Sequence, residues 1–208
     1  MMRKKLSSLL ALGLLLPLAG CGLFSSSDTH EPAELQDIQE TVATKTVWTT
    51  NVGDNVTGTL QPAVTDNAVY AAGGETLTRL AREDGHRVWS VDLKGQVIAG
   101  VGTDGNTVAV ITEGGQLEVF NAEGKALWDA RLSSDSTIAP LVGNGLVVTT
   151  TADARTTGFD IATGHVLWHY QSQAPALTLR VARSMVWSAA GILIGQSNGR
   201  LLALNHLG

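Results

Sequence analysis

The chain holds a single thiol, Cys21, and this is the first residue at which chemistry could take place. Alone, it can close no disulfide within the chain. Other reactive side chains are dispersed. The histidines are His30, His86, His165, His169 and His206. His165 and His169 stand four apart, but along a strand that spacing spans about 13 Å, too far for a shared metal ion. The acids Asp84, Asp104, Glu113 and Glu123 sit beside turn-forming residues, where hairpin geometry and solubility call for them. There is no pair of adjacent cysteines, and no glycine-rich stretch opens a helix that would cradle phosphate. The sequence therefore predicts no catalytic constellation, no metal site and no cofactor.

What precedes Cys21 gives the thiol a purpose. Arg3, Lys4 and Lys5 form a positive start, followed by the apolar run Leu9 to Leu18. That is the anatomy of a secretory signal peptide and is short for a membrane span. The run ends in Leu18-Ala19-Gly20-Cys21, which resembles the bacterial lipobox. Small residues at 19 and 20 let a peptidase reach the backbone, and the Cys21 sulfur would carry a diacylglycerol. Residues 1–20 are thus expected to be a lipoprotein signal peptide, with Cys21 the lipidation site. Each buried CH₂ of the acyl chains contributes roughly 0.8 kcal/mol, enough together to hold a protein at a membrane without a spanning helix. In bacterial lipoproteins an Asp after the cysteine marks retention at the inner membrane; Gly22 implies the outer membrane, with the protein facing the periplasm.

Net charge is −5, or −8 without the signal region, which leaves 11 basic against 19 acidic residues. No long basic cluster remains, which argues against a nucleic-acid partner. Residues 21–46 read as a tether: Ser25, Ser26 and Ser27 are followed by Asp28, Glu31, Glu34, Asp37 and Glu40. Leu35, Ile38 and Val42 at helical spacing leave a short amphipathic turn as the alternative.

Beyond the tether the organising signal is a period. Trp48, Trp89, Trp128 and Trp168 follow one another at intervals of 41, 39 and 40 residues. The last three stand four residues after Gly85, Gly124 and Gly164. Between tryptophans run short alternating stretches broken by Asp66-Asn67, Gly73-Gly74, Asp104-Gly105-Asn106, Gly114-Gly115 and Asn144-Gly145. In the first unit Leu77 and Leu80 are expected inside, and Thr78 and Arg79 outside. The second unit is expected to begin with a strand over Val97 to Val101. The third has a less regular turn at Ala152-Asp153. The fourth offers three runs, Ser184–Ser188, Gly191–Gly195 and Arg200–Asn205, and brings Gly208 to the position of the earlier glycines. Four strands in about 40 residues, with one aromatic per unit, predict propeller blades over residues 47–208. Each tryptophan is expected to cover the seam to a neighbouring blade while its indole N–H finds a carbonyl. The fold class is all-β, an incomplete β-propeller of about four blades; a β-sandwich would not explain the register.

The stretch Asp160-Ile161-Ala162-Thr163-Gly164-His165-Val166-Leu167-Trp168 matches the Asp-x-x-Thr-Gly-x-x-x-Trp ending of quinoprotein-type (PQQ-like) repeats. Arg82-Glu83-Asp84-Gly85 and Asn121-Ala122-Glu123-Gly124 are looser spellings. A lipobox, an acidic tether and such blades together resemble the BamB family of lipoproteins, which serve the machine that inserts β-barrel proteins into the outer membrane. That family has eight blades, so this chain resembles about its N-terminal half. The resemblance implies a non-catalytic scaffold of the BAM complex. Its expected partners are the POTRA domains of BamA, other BAM subunits and unfolded outer-membrane proteins. It also implies that a Leu-x-Leu-Arg segment, here Leu177, Leu179 and Arg180, contributes to docking on BamA. Two aliphatic anchors and a forked guanidinium suit that role. The competing expectation for the leucines is core packing in the first strand of the fourth blade. The competing function is a fragment of a PQQ-dependent dehydrogenase, whose cysteine pair has no counterpart in the sequence and whose calcium-holding acids would be sought among residues that mostly sit in turns.

Overall fold

Among the described residues, fifteen strands form four antiparallel sheets that follow one another along the chain, with no helix. The computed structural model describes residues 34, 42–53, 61–136, 138–173, 184–196 and 199–208. Lys45–Gly208 is one compact unit. The first sheet is β1 (Ala63–Val64), β2 (Ala68–Gly73), β3 (Thr76–Ala81) and β4 (Arg87–Asp92), in that spatial order. The second is β5 (Gly102–Thr103), β6 (Thr107–Thr112), β7 (Gln116–Asn121) and β8 (Ala126–Arg131). The third is β9 (Leu141–Gly143), β10 (Leu146–Thr150), β11 (Arg155–Asp160) and β12 (Val166–Gln171). The fourth holds three described strands, β13 (Met185–Ser188), β14 (Gly191–Gly195) and β15 (Leu201–Leu204). Each sheet is a meander joined by tight turns, the up-and-down blade of a propeller.

The turn residues explain the hairpins. Asn144 and Gly145 both take positive φ (51° and 78°), the requirement of a two-residue turn whose twist matches the flanking strands. At the β5–β6 turn the Asp104 carboxylate accepts the backbone N–H groups of Asn106 (2.9 Å) and Thr107 (2.8 Å). The irregular third-sheet turn is irregular because Ala154, which has a Cβ, is held at φ 62°.

The core lies between sheets. Along β6, Val108 and Val110 pack with Tyr70 and Leu77 of the first sheet, while Ala109 and Ile111 pack with Val147 and Phe159 of the third. Along β10, Val147 faces the second sheet, whereas Leu146 and Val148 face Ile192 and Ile194 of the fourth. A middle strand thus buries both its faces and reads as a continuous apolar run. The outermost strands β4 and β8 alternate between half-buried and exposed residues.

Two expectations need correcting. Thr78 is fully buried, because the face of β3 opposite Leu77 is also covered; its hydroxyl bonds that of Ser90 at 3.2 Å. Arg79 is half-buried, its guanidinium carbon 5.9 Å from the centre of the Tyr70 ring. The second sheet begins later than expected: Val97 makes only an isolated bridge to Thr112, and the strand itself is Gly102–Thr103. Its glycine brings β5 against β9, where a side chain at Gly102 would collide with the Pro140 carbonyl.

Candidate functional site

The recurring tryptophan and glycine form a lock, and the structure shows which residues it joins. The glycine and tryptophan of one unit do not meet each other. Each tryptophan instead crosses to the glycine turn of the next unit. Trp48 Nε1 donates to the Arg82 carbonyl (2.9 Å), Trp89 to Ala122 (2.9 Å), Trp128 to Ile161 (2.8 Å) and Trp168 to His206 (3.1 Å). A Cβ at Gly85, Gly124, Gly164 or Gly208 would lie 2.5, 3.0, 2.6 or 2.7 Å from the ring seated on it. The four glycines have φ between 72° and 96°, so the position asks for glycine twice over: for its backbone and for the ring's approach. The half-buried indole keeps its hydrogen bond, which is what lets a tryptophan seal the seam without an unsatisfied donor.

Trp48 belongs to the set although its segment forms no strand with the described residues. Beside it, the Thr50 hydroxyl donates to the Gly85 carbonyl (2.7 Å) and Arg87 donates to the Asn51 carbonyl (3.1 Å).

The turn that presents each glycine is held by a side-chain acceptor. In the third sheet the Asp160 carboxylate accepts from Thr163 Oγ1 (2.7 Å), Thr163 N (2.8 Å) and Ala162 N (3.1 Å). These donors, the Thr163 hydroxyl first, hold its carboxyl below the usual range. The shorter turn of the second sheet uses Asn121, which accepts from Lys125 N (2.8 Å) and Glu123 N (3.2 Å). In the first sheet Ala81 stands where the motif has Asp, and Asp84 takes over, accepting from His86 N (3.1 Å) and facing His86 Nδ1 at 2.7 Å. The His86 backbone and then its ring hold the Asp84 carboxyl low. Asn205 does the same for Leu207 N (2.7 Å) in the fourth. The two looser spellings and the fourth-sheet turn thus each hold their glycine turn with a side-chain acceptor, as the full motif does.

At the opposite end of the blades, where chain passes from sheet to sheet, the first crossing is pinned to the second sheet. The buried Glu118 accepts the Lys94 backbone N–H (3.0 Å), and Lys94 Nζ pairs with Asp129 at 2.7 Å. Gln116 adds a hydrogen bond to Asp129 (2.7 Å). The Lys94 ammonium, ahead of Gln116, holds the Asp129 carboxyl low.

The family model described as "Outer membrane protein assembly factor BamB" matches residues 73–208, the stretch that contains three of the four locks. The chain belongs to this family. It is 36% identical to the BamB of Bordetella pertussis over 92% of this chain and 50% of the relative. It is 35% identical to the BamB of Burkholderia pseudomallei over 84% of this chain and 46% of the relative. Among solved structures it is similar to BamB from Moraxella catarrhalis, with a TM-score of 0.64 and 27% identity over 71% of this chain and 46% of that one. The chain spans about half the length of the curated relatives it matches. The all-β, partial-propeller fold with PQQ-like blades is thus the fold of a BamB family member.

Of the residues singled out in the sequence of this BamB-family chain, the structure brings together Trp89 with Gly124, Trp128 with Gly164, and Trp48 with Gly85. Cys21, Leu177, Leu179 and Arg180 lie outside the described residues, as does most of the 21–46 tether. Sequence reasoning missed a second use of tryptophan. Trp187, in the inner strand β13, donates to the Val142 carbonyl (3.1 Å) and stacks on the His206 ring, centroids 5.7 Å apart. It forms part of the wall of an open depression of about 250 Å³ between the inner strands, with Val101, Ile138, Pro140 and Met185. Trp187 falls outside the 40-residue period, so the repeat carried no signal for it. Tyr70 was also missed: burial pushes its hydroxyl up, against the lowering effect of the Arg79 charge.

Proposed function

We propose that this chain is part of a non-catalytic scaffold of the BAM complex, tethered through lipid on Cys21 to the periplasmic side of the outer membrane. In this reading it binds BamA and other BAM subunits and assists folding and insertion of outer-membrane proteins. The observation that carries the reading is the match of residues 73–208 to the BamB assembly-factor family. The geometry agrees with it: side chains are spent on sealing blades against each other, which yields a stiff body that presents loops and strand edges.

Docking on BamA is assigned to Leu177, Leu179 and Arg180, which fall in sequence between the third and fourth units. The two leucines supply apolar anchors and the guanidinium a forked donor for carboxylate or backbone oxygens. Pull-down of BamA POTRA domains by the lipid-free chain tests this. Arg180→Ala should cut the bound fraction several-fold with an unchanged far-UV spectrum, and undiminished binding would remove Arg180 from the interface.

A further inference from the structure

The outer edges of the blades are open, and they are not alike. Among the described residues, the outermost strand of each of the first three sheets bonds one neighbour and leaves a row of backbone N–H and C=O groups without a strand partner on its other side. Such an edge pairs with any compatible strand unless charge, proline or a bulge discourages it. All three outer strands carry the same bulge, opposite Arg79/Leu80, Val119/Phe120 and Gly158/Phe159, so bulging does not distinguish them. Charge does. β4 carries Arg87 and Asp92, and β8 carries Asp129 and Arg131. β12 reads Val-Leu-Trp-His-Tyr-Gln, with no lysine, arginine, aspartate, glutamate or proline. It is also the most apolar to solvent: Val166 and Leu167 are each 56% exposed and Tyr170 37%.

We infer that the free edge of β12 is a docking edge for an extended, uncharged strand of alternating apolar residues, the chemistry of an unfolded transmembrane β-strand. This rests on the reading of the chain as an assembly factor for β-barrel proteins and names the surface that would meet the substrate. Main-chain hydrogen bonding selects an extended partner, since only a strand presents N–H and C=O groups at the matching repeat. The absence of charge along the six residues of β12 favours a neutral partner, because a charged strand would find a charged neighbour only at one end, where Arg155 of β11 bonds Gln171, and would lose solvation along the rest. Tyr170, on the same face as Trp168, and the exposed Val166 and Leu167 at the bulge give the incoming strand an apolar surface. A transmembrane strand carries that alternation and that low charge.

The test uses a fluorescein-labelled ten-residue peptide that alternates Val or Tyr with Thr or Gly and has no charged side chain. Its binding to the lipid-free chain is read by fluorescence anisotropy. Leu167→Lys and His169→Lys, both at exposed sites on β12, should weaken binding at least tenfold. Val88→Lys and Leu127→Lys, at the same register on β4 and β8, should change it less than twofold. Methylating alternate backbone amides of the peptide should abolish binding to the unaltered chain, a control that does not depend on any variant folding. Equal losses at all three edges, no loss at β12, or indifference to methylation would each overturn the inference. So would a dimer in light scattering that Leu167→Lys dissolves, which would make the occupant a second copy of this chain. Pull-down of BamA is read separately, so loss of the edge and loss of the scaffold role leave different signatures.

Discussion

The seam between the second and third sheets and the seam between the third and fourth use the same two residue types, yet they are supported differently. Trp128 sits on Gly164 with the Phe159 ring 5.9 Å away, among Ile111, Leu117, Val119 and Val147. Trp168 sits on Gly208 and lies flat against its own sheet at Gly158, where any Cβ would strike the indole. Its hydrogen bond to His206 is longer and exposed to water, whereas that of Trp128 is partly buried. The geometry of the lock is set by the turn, but its strength is set by what surrounds the ring. A hydrogen bond at similar length contributes more where water is kept from it.

The largest expected effect separates these two seams directly. Trp128→Ala should cost about 3 kcal/mol in urea unfolding, the low end of the range for truncating a large aromatic, because the ring is half-buried. Trp168→Ala should cost about 1–2 kcal/mol, because less apolar area leaves the protein interior. Equal losses would show that the turn alone decides the strength of a lock. A finer comparison sets Gly164 beside Gly145, which share a left-handed backbone, φ 72° and 78°. Gly145 has nothing within 4 Å of a would-be Cβ, whereas Gly164 has Trp128 at 2.6 Å. Gly145→Ala should cost about 1–2 kcal/mol for the backbone alone. Gly164→Ala should cost clearly more; a matching loss would mean that the ring yields at no expense.

The smallest effect concerns the acceptors beneath the locks and appears only in acid. Asp160 has its pKa lowered in the folded chain. Its contribution is therefore complete above the ordinary carboxylate value near 3.9 and is lost as pH falls through the lowered folded value. Asp160→Asn keeps an acceptor and removes the titration, as Asn121 does in the neighbouring turn. Stability at neutral pH should hardly change, while its fall below about pH 4 should become shallower. An unaltered acid limb would assign that fall to other carboxylates, Asp129 among them.

The period, the strand-rich blades and the need of each indole for a carbonyl were all legible in the sequence, because tight turns and a repeated aromatic leave marks at fixed distances. The partner of each tryptophan was not. A spacing of four residues suggests a contact between Gly85 and Trp89, yet the contact runs from Trp48 to Gly85 and from Trp89 to Gly124. Short spacing reports a shared hairpin, and only packing reports which neighbour the side chain meets. Thr78 was misread for a related reason. Alternation distinguishes inside from outside when one face of a strand is wet, but on β3 Leu77 and Thr78, which point to opposite faces, are both fully buried. The Lys94–Asp129 pair and the Glu118 anchor join residues whose only relation is the crossing between sheets, so neither motif nor period could show them.

The direction of the lock also decides how such a chain can change in length. Each unit carries a glycine turn for its predecessor's tryptophan and a tryptophan for its successor's glycine turn. Duplicating or excising one whole period of about 40 residues leaves every ring with a seat and every seat with a ring. A cut at half a period strands two of them. In recombination, therefore, the interchangeable part is the interval from one tryptophan to the next, and blade number can drift while the joints stay the same.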